Sequence, residues 1–90
     1  MTHFVAEIRY TAEPDVVAAS RAEHRAYLQG LHAAGRLVLS GPWADRSGAC
    51  LVYRAEDEAE VRTMLEEDPF RRDDVVEVLS VREWDVVVGG

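Results

Sequence analysis

The chain contains no lysine and no asparagine, so all ten of its basic residues are arginine. The absence of lysine excludes a lysine Schiff base, a pyridoxal phosphate lysine and the lysine of a phosphate-binding P-loop. The single cysteine, Cys50, excludes an internal disulfide and a zinc site built from several cysteines. Cys50 lies in the apolar run Ala-Cys-Leu-Val-Tyr, and we interpret it as a small buried hydrophobic residue.

Long apolar runs are also absent, since no stretch reaches about 18 apolar residues, the length that a membrane-spanning helix requires. The first residues, MTHFVAEIRY, lack a basic segment followed by an apolar block, so we expect no secretory signal and a cytoplasmic protein. The net charge is −7, and the arginines are scattered, with only Arg71 and Arg72 adjacent. Such a surface repels nucleic acid and anionic membranes, so neither is predicted as a partner.

Hydrophobic periodicity divides the chain, which we interpret as one domain over residues 1–90, into six elements. Their order is strand, helix, strand, strand, helix, strand. The predicted ranges are 3–10, 15–34, 36–43, 49–54, 57–68 and 75–88. Asp15 and Asp57 are the predicted N-caps of the two helices, Glu60 completes a capping box, and Gly35 ends the first helix. The last strand is expected to bend near Ser80.

This element order predicts an α+β fold of the ferredoxin-like type. Two right-handed crossovers give a four-stranded antiparallel sheet with both helices on one face. The strands carry apolar residues on the opposite face too, and an apolar face of that size is rarely left in water. We therefore expect a homodimer in which two sheets pack together, with Trp43 and Trp84 as candidate interface residues.

His24 is the first candidate for chemistry. It precedes Leu28 by four residues and Leu31 by seven, so it belongs to the inward stripe of the first helix. Arg21 lies one turn earlier on nearly the same side. A histidine on an apolar stripe is more often a core residue than a catalyst, so this position alone does not establish a site.

Asp68 holds the matching position on the second helix. It follows Leu65 by three residues and Met64 by four, and so points toward the packed side. Burying a carboxylate is costly unless it is paired, and a His–Asp pair would meet that need while orienting an imidazole for acid–base work. The alternative is that Asp68 only caps a solvated turn within the charged run EEDPFRRDD.

Other patterns carry less information about chemistry. Ser40, Gly41 and Pro42 end the second strand, where Ser40 could bind a substrate. No G-x-S-x-G motif occurs, which argues against a serine hydrolase. His24 and His32 lie about 80° apart around a helix, and neither H-x-H nor H-E-x-x-H occurs. We therefore predict no metal and no cofactor.

Three segments together resemble the YCII-related (YciI-like) domains, namely RAEHRAYLQGLHAAGRLVLSGPW, DEAEVRTMLEEDPF and the closing REW. The pattern is R-x-x-H-x-x-Y-L-x-x-L-x-x-x-G, then Gly-Pro after the second strand and Asp-Pro-Phe after the second helix. It extends over nearly the whole chain. The loop FRRDDVVEV departs from the shorter, glycine-containing turn of the family.

The resemblance implies a ferredoxin-like α+β fold that dimerises as an α/β barrel. It also implies an active site built on His24 and Asp68, and some members of the family eliminate chloride from chlorinated hydroxylated aromatics. The pocket around this pair would be lined by Arg21, Ser40, Gly41 and Pro42.

The leading interpretation is a cofactor-independent lyase or isomerase, dehydrochlorinase-like, that acts on a small aromatic or enolisable organic molecule. His24 would be the general acid or base, Asp68 would accept the imidazole N–H, and Arg21 would hold an anionic group of the substrate. Two alternatives stay open. One is a non-catalytic ligand-binding or accessory domain, and the other is a His–Asp pair that only completes the core.

Overall fold

Four strands and three helices make up the part of the chain that the structure, a computed structural model, describes, namely residues 1–89. The strands are β1 (Thr2–Tyr10), β2 (Leu37–Pro42), β3 (Gly48–Ala55) and β4 (Val76–Trp84). The helices are α1 (Pro14–Ala33), α2 (Glu58–Glu67) and α3 (Pro69–Arg72). The predicted order of strands and helices is confirmed, and α3 is an additional helix of one turn.

The sheet is antiparallel, and its strands lie in the order β2-β3-β1-β4. Because side chains alternate along a strand, the central strand β1 buries Phe4, Ala6 and Ile8 in the core that α1 and α2 cover. An α+β fold with a four-stranded antiparallel sheet is therefore confirmed, and it is consistent with the ferredoxin-like type. The partners on β3 that extend this buried surface are Tyr53, Leu51 and Ala49.

The start of α1 differs from the prediction. Glu13 is the N-cap residue, it makes no side-chain capping hydrogen bond, and Pro14 occupies the first turn. The prediction of Asp15 as the N-cap residue is thus wrong by two positions. Asp15 lies inside the first turn, where a negative charge interacts favourably with the helix dipole.

The other predicted helix ends agree with the structure. Gly35 has φ +77, and the N–H of Arg36 donates to the carbonyl of Leu31 over 2.8 Å, which is the Schellman pattern after a helix. Asp57 caps α2 by accepting the N–H of Glu60 at 2.9 Å. The carboxylate of Glu60 pairs with Arg36, so the capping box is only half formed and this glutamate ties α2 to the end of α1 instead.

Strand β4 ends at Trp84, before the predicted limit of 88. Trp84 pairs with His3, close to the start of β1, so the valines beyond it meet no strand partner. The predicted bend near Ser80 is a β-bulge, since Leu79 is an extra residue between the paired positions Val78 and Ser80.

The face of the sheet opposite the helices carries exposed apolar side chains. Leu39 is 62% exposed, Leu79 53% and Trp84 50%. Cys50 lies on this face and is half-buried rather than buried as expected. Its partial burial and the nearby Glu7 carboxylate raise the pKa of its thiol. Within residues 1–89, no helix combines the length and the apolar character that crossing a membrane requires, and the cytoplasmic location stays a prediction.

Candidate active site

Asp68 occupies the junction between two helices. It ends α2 and is the N-cap of α3, where its Oδ1 accepts the N–H of Phe70 at 2.9 Å. Pro69 explains the break, because proline restricts the preceding residue to extended backbone and favours the first turn of a new helix. Asp68 is only 2% exposed, so the alternative of a solvated turn does not hold for this residue, although the capping role that it included is present.

The same oxygen of Asp68 binds His24. The Nδ1 of His24 lies 2.8 Å from Oδ1 of Asp68, and both side chains are buried. An ionised carboxylate can only accept, so Nδ1 carries the hydrogen and Nε2 is the nitrogen left for a bound molecule. The two inward positions predicted from helical spacing therefore do meet in the fold.

Phe70 fixes the plane of the imidazole. Its ring stacks on His24 with centroids 3.6 Å apart and an interplanar angle of 7°. Tyr10 in turn meets Phe70 edge-on, with centroids 6.0 Å apart at 90°. Sequence reasoning assigned no role to Phe70, although the Asp-Pro-Phe motif contained it. That motif thus supplies a hydrogen-bond acceptor, a helix start and a stacking ring within three consecutive residues.

Polar contacts also hold α3 and the residue after it against α1. The hydroxyl of Ser20 donates to Asp73 at 2.6 Å, and Arg72 donates to Glu23 at 2.9 Å and to Asp73 at 2.9 Å. Hydrogen bonds from Arg72 and then from Ser20 lower the pKa of Asp73 to about 2. Most charges of the run EEDPFRRDD are exposed, as a solvated turn would have them, but those of Arg72 and Asp73 also connect α3 to α1.

Two tyrosines lie near the carboxylate of Asp68. The hydroxyl of Tyr27 donates to the carbonyl of Met64 at 2.7 Å, and burial, with the Glu67 and Asp68 charges, raises its pKa to about 12. The hydroxyl of Tyr53 is buried with no hydrogen-bond partner among the described residues, and burial foremost raises its pKa. Both phenols therefore stay neutral in the physiological range.

A cavity of about 490 Å³ opens beside His24, and we call it the His24 cavity. It lies between α1, β2 and the helix-covered face of the sheet. The structure brings five predicted residues to its wall, while Asp68 lies behind His24 and does not line it. Those five residues are His24, Arg21, Ser40, Gly41 and Pro42.

Sequence reasoning missed other residues of the cavity. Arg25 and His32 also line it, and their positions about one and about three turns after Arg21 on α1 would have indicated this. The Nδ1 of His32 lies 2.8 Å from the carbonyl of Leu37, so Nδ1 carries the hydrogen there as well. Apolar side chains such as Leu28 complete the wall. In residues 1–89, no three histidine, cysteine or acidic side chains gather as metal ligands would.

This chain is similar in structure to 5-chloro-2-hydroxyhydroquinone dehydrochlorinase from Burkholderia phenoliruptrix AC1100, solved in complex with 2,5-dihydroxybenzoquinone. The TM-score is 0.71 and the sequences are 25% identical, with 94% of each chain covered. No curated protein sequence matches this chain. The family model of the YCII-related domain matches residues 3–85. With a match across almost its full length, the chain belongs to the YCII-related domain family.

Proposed function

We propose that this protein is a cofactor-independent, dehydrochlorinase-like enzyme that acts on a small hydroxylated aromatic through acid–base catalysis by His24. The observation that carries the proposal is the 2.8 Å hydrogen bond between His24 and Asp68 on the wall of a 490 Å³ cavity. A buried carboxylate that fixes the tautomer of a histidine facing a cavity is an arrangement suited to proton transfer. The structural similarity to a dehydrochlorinase supports the same reaction class.

Each residue of the cavity has a distinct part in the proposal. His24 takes and returns protons at Nε2, while Asp68 stabilises the imidazolium that forms. Phe70 keeps the ring plane fixed by stacking, so less reorganisation is needed when the proton moves. Arg21 binds an oxyanion of the substrate, and the Ser40 hydroxyl donates to a second substrate oxygen. Gly41 and Pro42 form the wall at the end of β2.

The chemistry balances without an added oxidant or reductant. Two hydroxyl protons leave a chlorinated hydroxyhydroquinone, one of them is returned to the ring carbon that bears chlorine, and the C–Cl electron pair departs with chloride. The net loss is one proton and one chloride, and the product is a hydroxyquinone. One histidine suffices, because it can carry each proton in turn.

The proposed assembly is a homodimer that closes an α/β barrel through the open faces of two sheets. The exposed side chains of Leu39, Leu79 and Trp84 support this surface, since apolar patches of this kind mark interfaces. Trp43 is 42% exposed in the turn after β2, at the border of the proposed contact. Light scattering after gel filtration should give twice the 10.1 kDa chain mass for the wild type. The Leu79→Glu variant should be a monomer. A monomeric wild type would contradict the proposal.

The test is chloride release from 5-chloro-2-hydroxyhydroquinone under nitrogen, measured with a chloride electrode. His24→Asn keeps the size of the side chain and should slow release by at least about 100-fold, the contribution of a general acid–base group. Arg62→Gln, on an exposed part of α2, is the control and should release chloride at the wild-type rate. Equal rates in His24→Asn and wild type would overturn the catalytic assignment. Binding of 2,5-dihydroxybenzoquinone without chloride release would favour the non-catalytic alternative.

A further inference from the structure

The arginines of this chain divide into two groups. Five of them form ion pairs with carboxylates inside the described structure, and these are Arg9, Arg36, Arg62, Arg71 and Arg72. Among the other five, Arg21, Arg25 and Arg46 gather at one place on the surface. The chain has 17 acidic residues and ten arginines, so an arginine can easily find a carboxylate nearby. Three neighbouring arginines that form no ion pair within residues 1–89 therefore point to a bound anion as their partner.

The place where they gather is a second cavity, which we call the outer cavity. Its volume is about 460 Å³, and Arg46, Pro14 and Val17 belong to its wall. It shares four residues with the His24 cavity, so the two form one continuous groove between α1 and the end of β2. The shared residues are Tyr10, Arg21, Arg25 and Pro42.

The charge along this groove is opposite to that of the protein. The net charge is −7, yet none of the described residues that line either cavity is acidic. The nearest acidic neighbour of Arg46 in sequence, Asp45, is engaged elsewhere, because its carboxylate accepts the N–H of Ser47 at 2.9 Å. A local positive region in a concave surface concentrates anions.

Arg46 also occupies an unfavourable backbone conformation. Its φ is 65°, in the left-handed region, within the turn that its N–H closes on the carbonyl of Trp43. Glycine or asparagine is the usual residue there, and a long side chain at such a position is more often found at functional sites. The turn alone therefore does not explain why position 46 is an arginine.

We propose that the outer cavity is a carboxylate-binding subsite, formed by Arg25 and Arg46, which selects aromatic substrates that carry a carboxylate side chain, while Arg21, on the shared wall, binds the oxyanion of the ring. The inference rests on the proposed function, since it places the ring beside His24 and the carboxylate in the outer cavity. The His24 cavity offers apolar walls to a ring through Leu28, Leu51 and Phe70. A guanidinium group binds a carboxylate through two parallel hydrogen bonds, so arginines at this place favour a carboxylate over a neutral group.

The test compares two probes of equal size, 3-phenylpropionate and its neutral amide, 3-phenylpropanamide. Dissociation constants come from NMR titration of the full-length protein. The wild type should bind the acid about tenfold more tightly than the amide, since a hydrogen bond to a charged group is roughly twice as strong as a neutral one and that difference corresponds to about a factor of ten in affinity. Arg46→Gly and Arg25→Gln should each lose most of this preference, whereas Arg62→Gln, with the same change in charge on α2, should keep it.

Arg46→Gly separates binding from folding. Because glycine suits a φ of 65°, this variant should melt no earlier than the wild type while it loses the preference for the acid. Equal affinities for acid and amide in the wild type, or an equal loss in Arg62→Gln, would overturn the subsite. His24→Asn should retain the preference for the acid even though it slows chloride release, so that failure of the subsite and failure of the catalytic proposal give different results.

Discussion

His24 on α1 and Asp68 at the junction of α2 and α3 lie 44 positions apart, and a 2.8 Å hydrogen bond joins His24 Nδ1 to Asp68 Oδ1. The same oxygen accepts the N–H of Phe70, whose ring stacks on the imidazole. One carboxylate oxygen therefore sets the tautomer of the histidine, the start of α3 and, through α3, the plane of the ring. Changes at Asp68 should consequently affect stability and the site together.

Replacing Asp68 by alanine should cost more stability than loss of a helix cap alone. Asp68→Ala leaves the buried His24 N–H without an acceptor, and breaking a buried pair in this way costs about 3–5 kcal/mol. Asp68→Asn keeps one acceptor oxygen, so a loss of about 1–2 kcal/mol is expected. Urea unfolding followed by circular dichroism measures both.

Asp57→Ala is the control for these two variants. Asp57 caps α2 through a single backbone N–H and contacts no histidine, so its loss should cost about 1 kcal/mol. If Asp68→Ala were no more destabilising than Asp57→Ala, the bond to His24 would contribute nothing to the fold.

Phe70→Leu should disturb the imidazole as well as the core. The substitution removes the stacked ring and leaves a small cavity, with an expected loss of about 1–2 kcal/mol. Loss of the aromatic ring current should also shift the His24 ring proton signals in NMR spectra. Phe4→Leu is matched in chemistry and burial and should destabilise without that shift, because Phe4 lies in β1 and makes no stacking contact with His24. Shifts of equal size in both variants would argue against a specific stacking role.

The sequence predicted the larger elements because each has a period long enough to detect. In β1 apolar and polar residues alternate over the whole strand, and in α1 and α2 apolar residues recur at helical spacing. This spacing correctly predicted that His24 and Asp68 face the packed side and can meet. The four-residue helix α3 has no period of its own, so Phe70 could not be placed over His24. Similarly, the valine-rich end of the chain has strand propensity, but pairing of Trp84 with His3 leaves it no partner strand.

The stability contributed by Asp73 should depend on pH in a defined direction. Its pKa in the fold is about 2, below the ordinary 3.8, because Arg72 and Ser20 donate to its charged form. A lowered folded-state pKa gives a stabilisation that is complete above the unfolded value and is lost as the pH falls through the folded value. Asp73→Asn should therefore lower the urea midpoint at pH 6, while the difference from wild type should shrink between about pH 4 and pH 2.

Asp74→Asn is the matched control for this pH series. It makes the same change in charge one residue later, and the carboxylate of Asp74 takes no part in the contacts with Ser20 and Arg72. Its urea midpoint at pH 6 should be nearer to that of the wild type. A penalty for Asp73→Asn that stays constant from pH 6 to pH 2 would exclude the charged form of Asp73 as its source.

Two glycines of the sheet should differ in how much stability they lose on substitution by alanine. A Cβ on Gly48 would overlap the backbone carbonyl of Ile8 on the neighbouring strand β1, whereas a Cβ on Gly41 would have no atom within 4 Å. Backbone cannot move aside as a side chain can, so Gly48→Ala should cost about 1–3 kcal/mol or more in urea unfolding, as overpacking does. Gly41→Ala should stay within about 0.5 kcal/mol of wild type, as open surface positions do. If Gly48→Ala left the free energy of unfolding unchanged, β1 and β3 would separate more easily at this end than their close approach indicates. The wall of the His24 cavity at the adjoining Ala49 would then be adaptable rather than fixed.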